Sequence, residues 1–143
     1  MDIVHHRLYN QKLLNTSFTQ PGQVVAWFGA VQAQDYAGAK WAVAQRAKGL
    51  TDAALDQALA DGTILRTHIL RPTWHFVAPA DIRWMLALTA PRVHAVSAYY
   101  YRQLELNKVI IKKSYSVLEK TLRGGKQLTP MPFWRSACLR SKD

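Results

Sequence analysis

The chain contains a single cysteine, Cys138, and a lone thiol so close to the C-terminus closes no internal disulfide, which fits a reducing compartment. Apolar runs of the ~18 residues needed for a membrane span are missing. Met1-Asp2-Ile3-Val4-His5-His6-Arg7 also lacks the basic-then-apolar order of a secretory signal. The expectation is a cytoplasmic protein. With 7 glycines and 6 prolines, collagen-like and low-complexity classes are excluded. No glycine-rich phosphate loop, nucleophile elbow or pair of carboxylates is present, so hydride, phosphoryl and serine-ester chemistry lack their parts. His5 and His6 are adjacent and point to different sides of a helix, with no Cys, Asp or Glu at ligand spacing, so neither a metal site nor a cofactor is expected.

Acidic residues are scarce, nine against 19 Lys and Arg, which leaves a net charge of +10. That charge is uneven. Residues 1–80 hold seven basic and five acidic side chains, whereas residues 81–143 hold twelve and four. Such an excess draws polyanions and suggests nucleic acid or an anionic membrane surface as partner, although a basic solvated surface has the same composition. At 143 residues and 49% hydrophobic, the chain can bury about 68 to 70% of its unfolded surface, enough for a proper core without a metal or disulfide.

Hydrophobic spacing predicts a series of short helices. Val4, Leu8 and Leu14 mark a first helix over Ile3 to Leu14, and Pro21 opens a second in which Val24, Trp27, Phe28 and Val31 form a core stripe. Asp35 is placed to cap a third, Tyr36 to Lys48, ended by Gly49. Thr51 caps a fourth that stops at Asp61-Gly62. The period then shortens to two. Thr63 to Leu70 and Thr73 to Val77, joined by Arg71-Pro72, read as a β-hairpin. Further helices are expected over Ala80 to Leu88, from Pro91 to about Leu106, and from Val109 to Leu122 before Gly124-Gly125. This order, mainly α with one hairpin, is that of a winged helix-turn-helix, and also of many α+β proteins of unrelated function.

Two segments carry a resemblance: Gln32-Ala33-Gln34-Asp35-Tyr36-Ala37-Gly38-Ala39-Lys40-Trp41 and Leu70-Arg71-Pro72-Thr73-Trp74-His75-Phe76-Val77-Ala78-Pro79-Ala80-Asp81. They resemble a family of bacterial winged-helix DNA-binding proteins whose characterised members are DNA glycosylases for alkylated bases, some of which unhook interstrand crosslinks. The likeness runs over about residues 3 to 129. It implies an N-terminal module of a tandem winged-helix protein: a winged-helix-like module at 1–90 and helices at 91–129 leading toward a second winged helix. In such glycosylases a glutamine, a spacer and a second glutamine or an aspartate hold the attacking water, which makes Gln32 and Gln34 the candidate catalytic residues. Asp35 falls one position too late to be the acidic member. Pro72 stands where relatives carry a small residue in the hairpin turn.

The chemistry is consistent with amides. A purine alkylated at a ring nitrogen is already cationic and leaves without a strong acid, and each neutral amide offers water both donors and an acceptor. On a regular helix, residues two apart point about 200° apart, so the pair can share a water only if the second helix has loosened at its C-terminal end, which Gly38 and the change of helix after Asp35 permit. The competing reading is a pair of amides that satisfy a helix end.

Arg66, Arg71, Thr73 and His75 on the hairpin, and Lys112, Lys113, Arg123 and Lys126 near the end, are the candidate DNA-binding residues, with Lys120 in the same basic segment. Solvated charges, and for His75 a hydrogen-bonded packing role, are the alternatives. Trp74 and Phe76 read as core. From Pro130 to Asp143 no helical stripe follows, where a further winged helix is expected, so this tail is read as aberrant, from a frameshift or a cut gene. Weak, salt-sensitive duplex binding and little activity in isolation are expected. A non-catalytic DNA-binding or regulatory domain and a protein-interaction module are the rival functions.

Overall fold

A computed structural model describes residues 2–70 and 73–126. Arg71 and Pro72 at the hairpin turn and the tail from 130 lie outside the described residues. The chain forms two compact units divided between Ala95 and Val96, and each is taken by itself. As expected, the described residues are mainly helical; their β-structure is a sheet of three strands rather than a hairpin alone.

The first unit begins with α1 (Ile3–Asn10), capped by Asp2, whose carboxylate accepts from the His5 N–H at 2.7 Å. Pro21 opens α2 (Pro21–Phe28) with the fixed φ a first turn wants. The helix stops at Gly29, whose φ of 71° lies where only glycine is at ease. Val31 therefore falls outside the helix predicted to contain it and lies in β1 (Ala30–Gln32). Three residues are too few for a strand period to register, and the Trp27-Phe28-Val31 spacing fits a helix equally well.

Next come α3 (Tyr36–Ala44), shorter than predicted, and α4 (Asp52–Ala60), where the Thr51 hydroxyl accepts from Ala54 N–H as a cap. The hairpin follows as β2 (Leu65–His68) and β3 (Trp74–Val77). The sheet order is β1-β3-β2, all antiparallel, with Arg66 opposite Phe76, Thr67 opposite His75, and Val31 and Gln32 opposite Phe76 and His75.

As the central strand, β3 is the most buried of the three. Side chains alternate across it, so Phe76 enters a core with Val24, Val25, Val43, Leu55 and Ile64, all fully buried. Val77 enters a smaller cluster with Ile69 and Met85. Each such side chain contributes about 1.5–3 kcal/mol by leaving water.

α5 (Ile82–Gln103) runs straight through Pro91, where the sequence predicts two helices. Pro91 removes one N–H, and the carbonyl it leaves without an intrahelical partner belongs to Ala87, an exposed residue that water reaches. The second unit contains the end of α5 and α6 (Lys108–Leu122), for which the Asn107 side chain accepts from both Val109 and Ile110 N–H at 3.0 Å. None of its described residues is buried. Among the described residues no helix is long and apolar enough to cross a membrane.

Phe76→Ala should lower the stability of the chain by about 3–5 kcal/mol in urea denaturation, the cost of a cavity at a site with no room to collapse. Gly29→Ala should cost about 1–2 kcal/mol, because alanine must adopt a left-handed φ there. A Phe76→Ala variant as stable as the parent would show that β3 is not the centre of the core.

Candidate functional site

Gln32 ends β1 in extended backbone, and Ala33 continues it, its N–H donating to Trp74 O at 2.7 Å. Exposure alternates along this segment: Gln32 is exposed, Ala33 is fully buried, Gln34 is exposed. Both glutamines are thus exposed on either side of a buried spacer, where β1 gives way to a bend at Gln34. Rather than loosening around the pair, α2 stops at Phe28, before either glutamine. Gln34 is further oriented, because its Oε1 accepts from the Trp74 N–H at 3.3 Å, which turns its Nε2 the other way.

Register places Thr67, His75 and Gln32 in one row across the three strands, on one face of the sheet. His75 is buried at 6% exposure, with its Nδ1 at 2.9 Å from Thr73 O. The Thr73 hydroxyl is buried with no hydrogen-bond partner among the described residues. Of the sequence candidates, the register ranks Gln32 beside His75, His75 Nδ1 lies against Thr73 O, and the Gln34 side chain reaches the Trp74 N–H.

The opposite face supports that row. The Arg66 guanidinium donates to Ala33 O through Nε at 3.2 Å and Nη2 at 3.0 Å. It lies against two rings, Trp74 with the centroid at 4.6 Å and Tyr36 at 5.3 Å. Trp74 in turn stacks on His68 at 4.1 Å, while Lys40 Nζ sits 4.9 Å from Tyr36. Cations and rings therefore alternate from Lys40 to Tyr36, Arg66 and Trp74, and the His68 ring closes the row. Trp74 is half-buried in this stack rather than sealed in the core the sequence suggests.

Lys40 is buried at 6% exposure and paired with two aspartates of α4: Asp52 at 2.7 Å and Asp56 at 2.9 Å. The Tyr36 hydroxyl donates to Asp56 at 2.7 Å. The Tyr36 hydroxyl and then Lys40 hold the Asp56 carboxyl below its ordinary value, while the carboxylates of Asp52 and Asp56 raise Lys40. Burial, then the bond to Asp56, raises Tyr36. The signal for this cluster was in plain sight as two i, i+4 pairs, Tyr36 with Lys40 and Asp52 with Asp56.

Asp35 occupies the cap position of α3, but its side chain accepts no bond from the first turn, contrary to the capping role expected of it. Its carboxylate instead lies over Gly38, where a Cβ would come within 2.5 Å of Oδ2. Beyond the sheet, His68 also borders a cavity of about 270 Å³ lined by Ile69, Leu86, Thr89 and Val93, to which the amide pair does not contribute.

Lys112, Lys113, Arg123 and Lys126 belong to the second unit, and all four are exposed. At 100° per residue, Lys108, Lys112, Lys113, Lys120 and Arg123 share one side of α6, with Glu119 among them at 3.6 Å from Arg123. Among the described residues no group of three His, Cys, Asp or Glu could hold a metal ion.

Because the folded carboxyl of Asp56 titrates below its unfolded value, its contribution to stability is complete above the ordinary carboxylate range and is lost as the pH falls through the folded value. Asp56→Asn should therefore make stability fall less steeply on acidification below about pH 4 than in the parent, read from urea midpoints against pH. Identical acid limbs would show that the contact does not discriminate between the protonation states.

Comparison with curated proteins gives no match. Among solved structures, a DNA glycosylase AlkZ from Streptomyces sahachiroi is 27% identical over 52% of this chain and 20% of that one, with a TM-score of 0.47. This chain thus spans about a fifth of that protein's length. The model of the DNA glycosylase AlkZ-like family matches residues 25–134, a stretch that contains the amide pair, the Arg66 clamp and the whole three-stranded sheet, so the chain belongs to the AlkZ-like DNA glycosylase family.

Proposed function

We propose that this chain is the water-holding module of an enzyme that hydrolyses the N-glycosidic bond of alkylated purines in double-stranded DNA, with Gln32 and Gln34 orienting the attacking water. One observation carries the reading: two exposed amides stand on either side of a buried alanine just where β1 ends. A base alkylated on a ring nitrogen departs as a neutral purine when the bond to C1′ breaks. Water then adds to the oxocarbenium-like sugar and releases its proton to solvent. Neutral amides suit this reaction, because the leaving group already carries the positive charge and needs no acid.

The order α2-β1-α3-α4-β2-β3, with the sheet ordered β1-β3-β2, supports a winged helix-turn-helix over residues 1–90 as the first module of a tandem protein, followed by linking helices over 91–129. In that arrangement α4 takes the place of a recognition helix. Yet α4 carries Asp52 and Asp56 and no Lys or Arg, a charge that phosphates repel. DNA contact is therefore assigned to Arg71 and to the basic side of α6, with Lys112, Lys113, Arg123 and Lys126, while the buried His75 ring and Thr73 hydroxyl are poorly placed for it. Arg66, turned toward Ala33, is less suited to reach DNA. A site of this kind works beside the chromosome, in the cytoplasm.

The test uses a duplex containing N7-methylguanine, incubated with this chain, its Gln32→Ala form and a version extended with the modules of a complete relative. Base release by the extended protein, lost by at least tenfold in Gln32→Ala with duplex affinity unchanged, is expected. Release that survives the substitution would remove the catalytic assignment. For the basic helix, Lys112→Gln with Lys113→Gln should weaken duplex binding across sequences and lower the salt slope by about one per lost phosphate contact. An unchanged slope would place the DNA elsewhere.

A further inference from the structure

We infer that Arg66 is a positioning residue for the water-holding amides, acting from the far face of the sheet through the carbonyl of Ala33. The inference rests on the reading of Gln32 and Gln34 given above. The Ala33 N–H still pairs with Trp74 O, so a continuing antiparallel ladder would next join Trp74 N–H to Ala33 O. Both of those groups are taken by side chains instead: Arg66 donates twice to Ala33 O, and the Gln34 amide accepts from Trp74 N–H. The ladder is thereby opened at the residue between the two amides. Held by two donors, the Ala33 carbonyl fixes the peptide that leads into Gln34, and with it the direction in which that side chain leaves the strand.

The guanidinium is itself immobilised. Tyr36 and Trp74 flank it, Asp56 accepts from the Tyr36 hydroxyl, and His68 backs Trp74. A planar, delocalised cation fits between rings and reaches one oxygen with two N–H groups. An ammonium at the same place keeps the charge but offers no plane to stack and no fork. Arg66→Lys therefore removes the geometry while conserving charge and most of the stem, which makes it the informative substitution.

The experiment combines heteronuclear NMR of this chain with single-turnover base release from the N7-methylguanine duplex. In the parent, a through-hydrogen-bond coupling from Arg66 Nε to the Ala33 carbonyl carbon is expected, together with slow rotation of the guanidinium. In Arg66→Lys the circular dichroism should stay that of a folded chain. The Ala33 carbonyl and Gln34 side-chain amide resonances should move, and Trp74 N–H exchange should accelerate about tenfold. Arg83→Lys, at an exposed position of α5, should move none of them. Where the extended protein releases base, Arg66→Lys should lower the rate at saturating enzyme about tenfold with duplex affinity unchanged, as expected of misplaced amides. Lost affinity with unmoved amide resonances would make Arg66 a DNA contact and overturn the inference, as would a parent guanidinium that rotates freely with no coupling to Ala33. If no protein releases base, the catalytic reading falls, and the NMR arm still decides whether Arg66 sets the amides.

Discussion

The pairing register of β3 is the constraint on which the rest of the structure depends. With β1 on one side and β2 on the other, its alternation sends Phe76 into the main core and Val77 into the smaller cluster. The same alternation ranks His75 with Gln32 and Thr67, and Trp74 with Arg66 and His68, on opposite faces. A slip of one residue would turn Phe76 outward and carry His75 to the other side of the sheet. Core packing and site geometry are therefore one choice, and the fully buried Phe76 is what makes any other register costly.

The charges of the two units are used differently. In the first, several cations are engaged within the protein: Lys40 by two aspartates, Arg66 by a carbonyl and two rings, Arg46 by the carbonyls of Gln11 and Ala42, and Lys12 over the Trp27 ring at 4.0 Å. In the second, the lysines of α6 stand at the surface of a helix with no buried residue. Arg66, Arg46 and Lys12 keep their charge, so what distinguishes the first unit is that its cationic side chains are held in place by carbonyls, rings and aspartates.

Much of the helical scaffold was legible in the sequence, because Pro21, Thr51 and Gly62 punctuate it and the apolar spacing between them is regular. So was the hairpin, from its run of branched and aromatic residues. β1 was not legible: three residues after Gly29 become a strand only because β3 lies alongside them, a tertiary fact with no local signature. Pro91 misled in the opposite direction, since a proline whose freed carbonyl faces water need not end a helix. The amide pair was singled out through the family resemblance, and the strand that ends in Gln32 is the one that periodicity missed. The role of Arg66 was illegible for a simple reason: the oxygen it holds is 33 residues away along the chain.

Position 38 shows how a missing side chain can govern electrostatics. With only hydrogen there, the carboxylate of Asp35 rests above the first turn of α3. Any larger residue would evict it, and the displaced anion is tethered one peptide bond from Gln34. Glycine at this point acts as a parking bay for negative charge. A lineage that filled it would have to re-home that charge within the immediate neighbourhood of Gln34, altering the local field there.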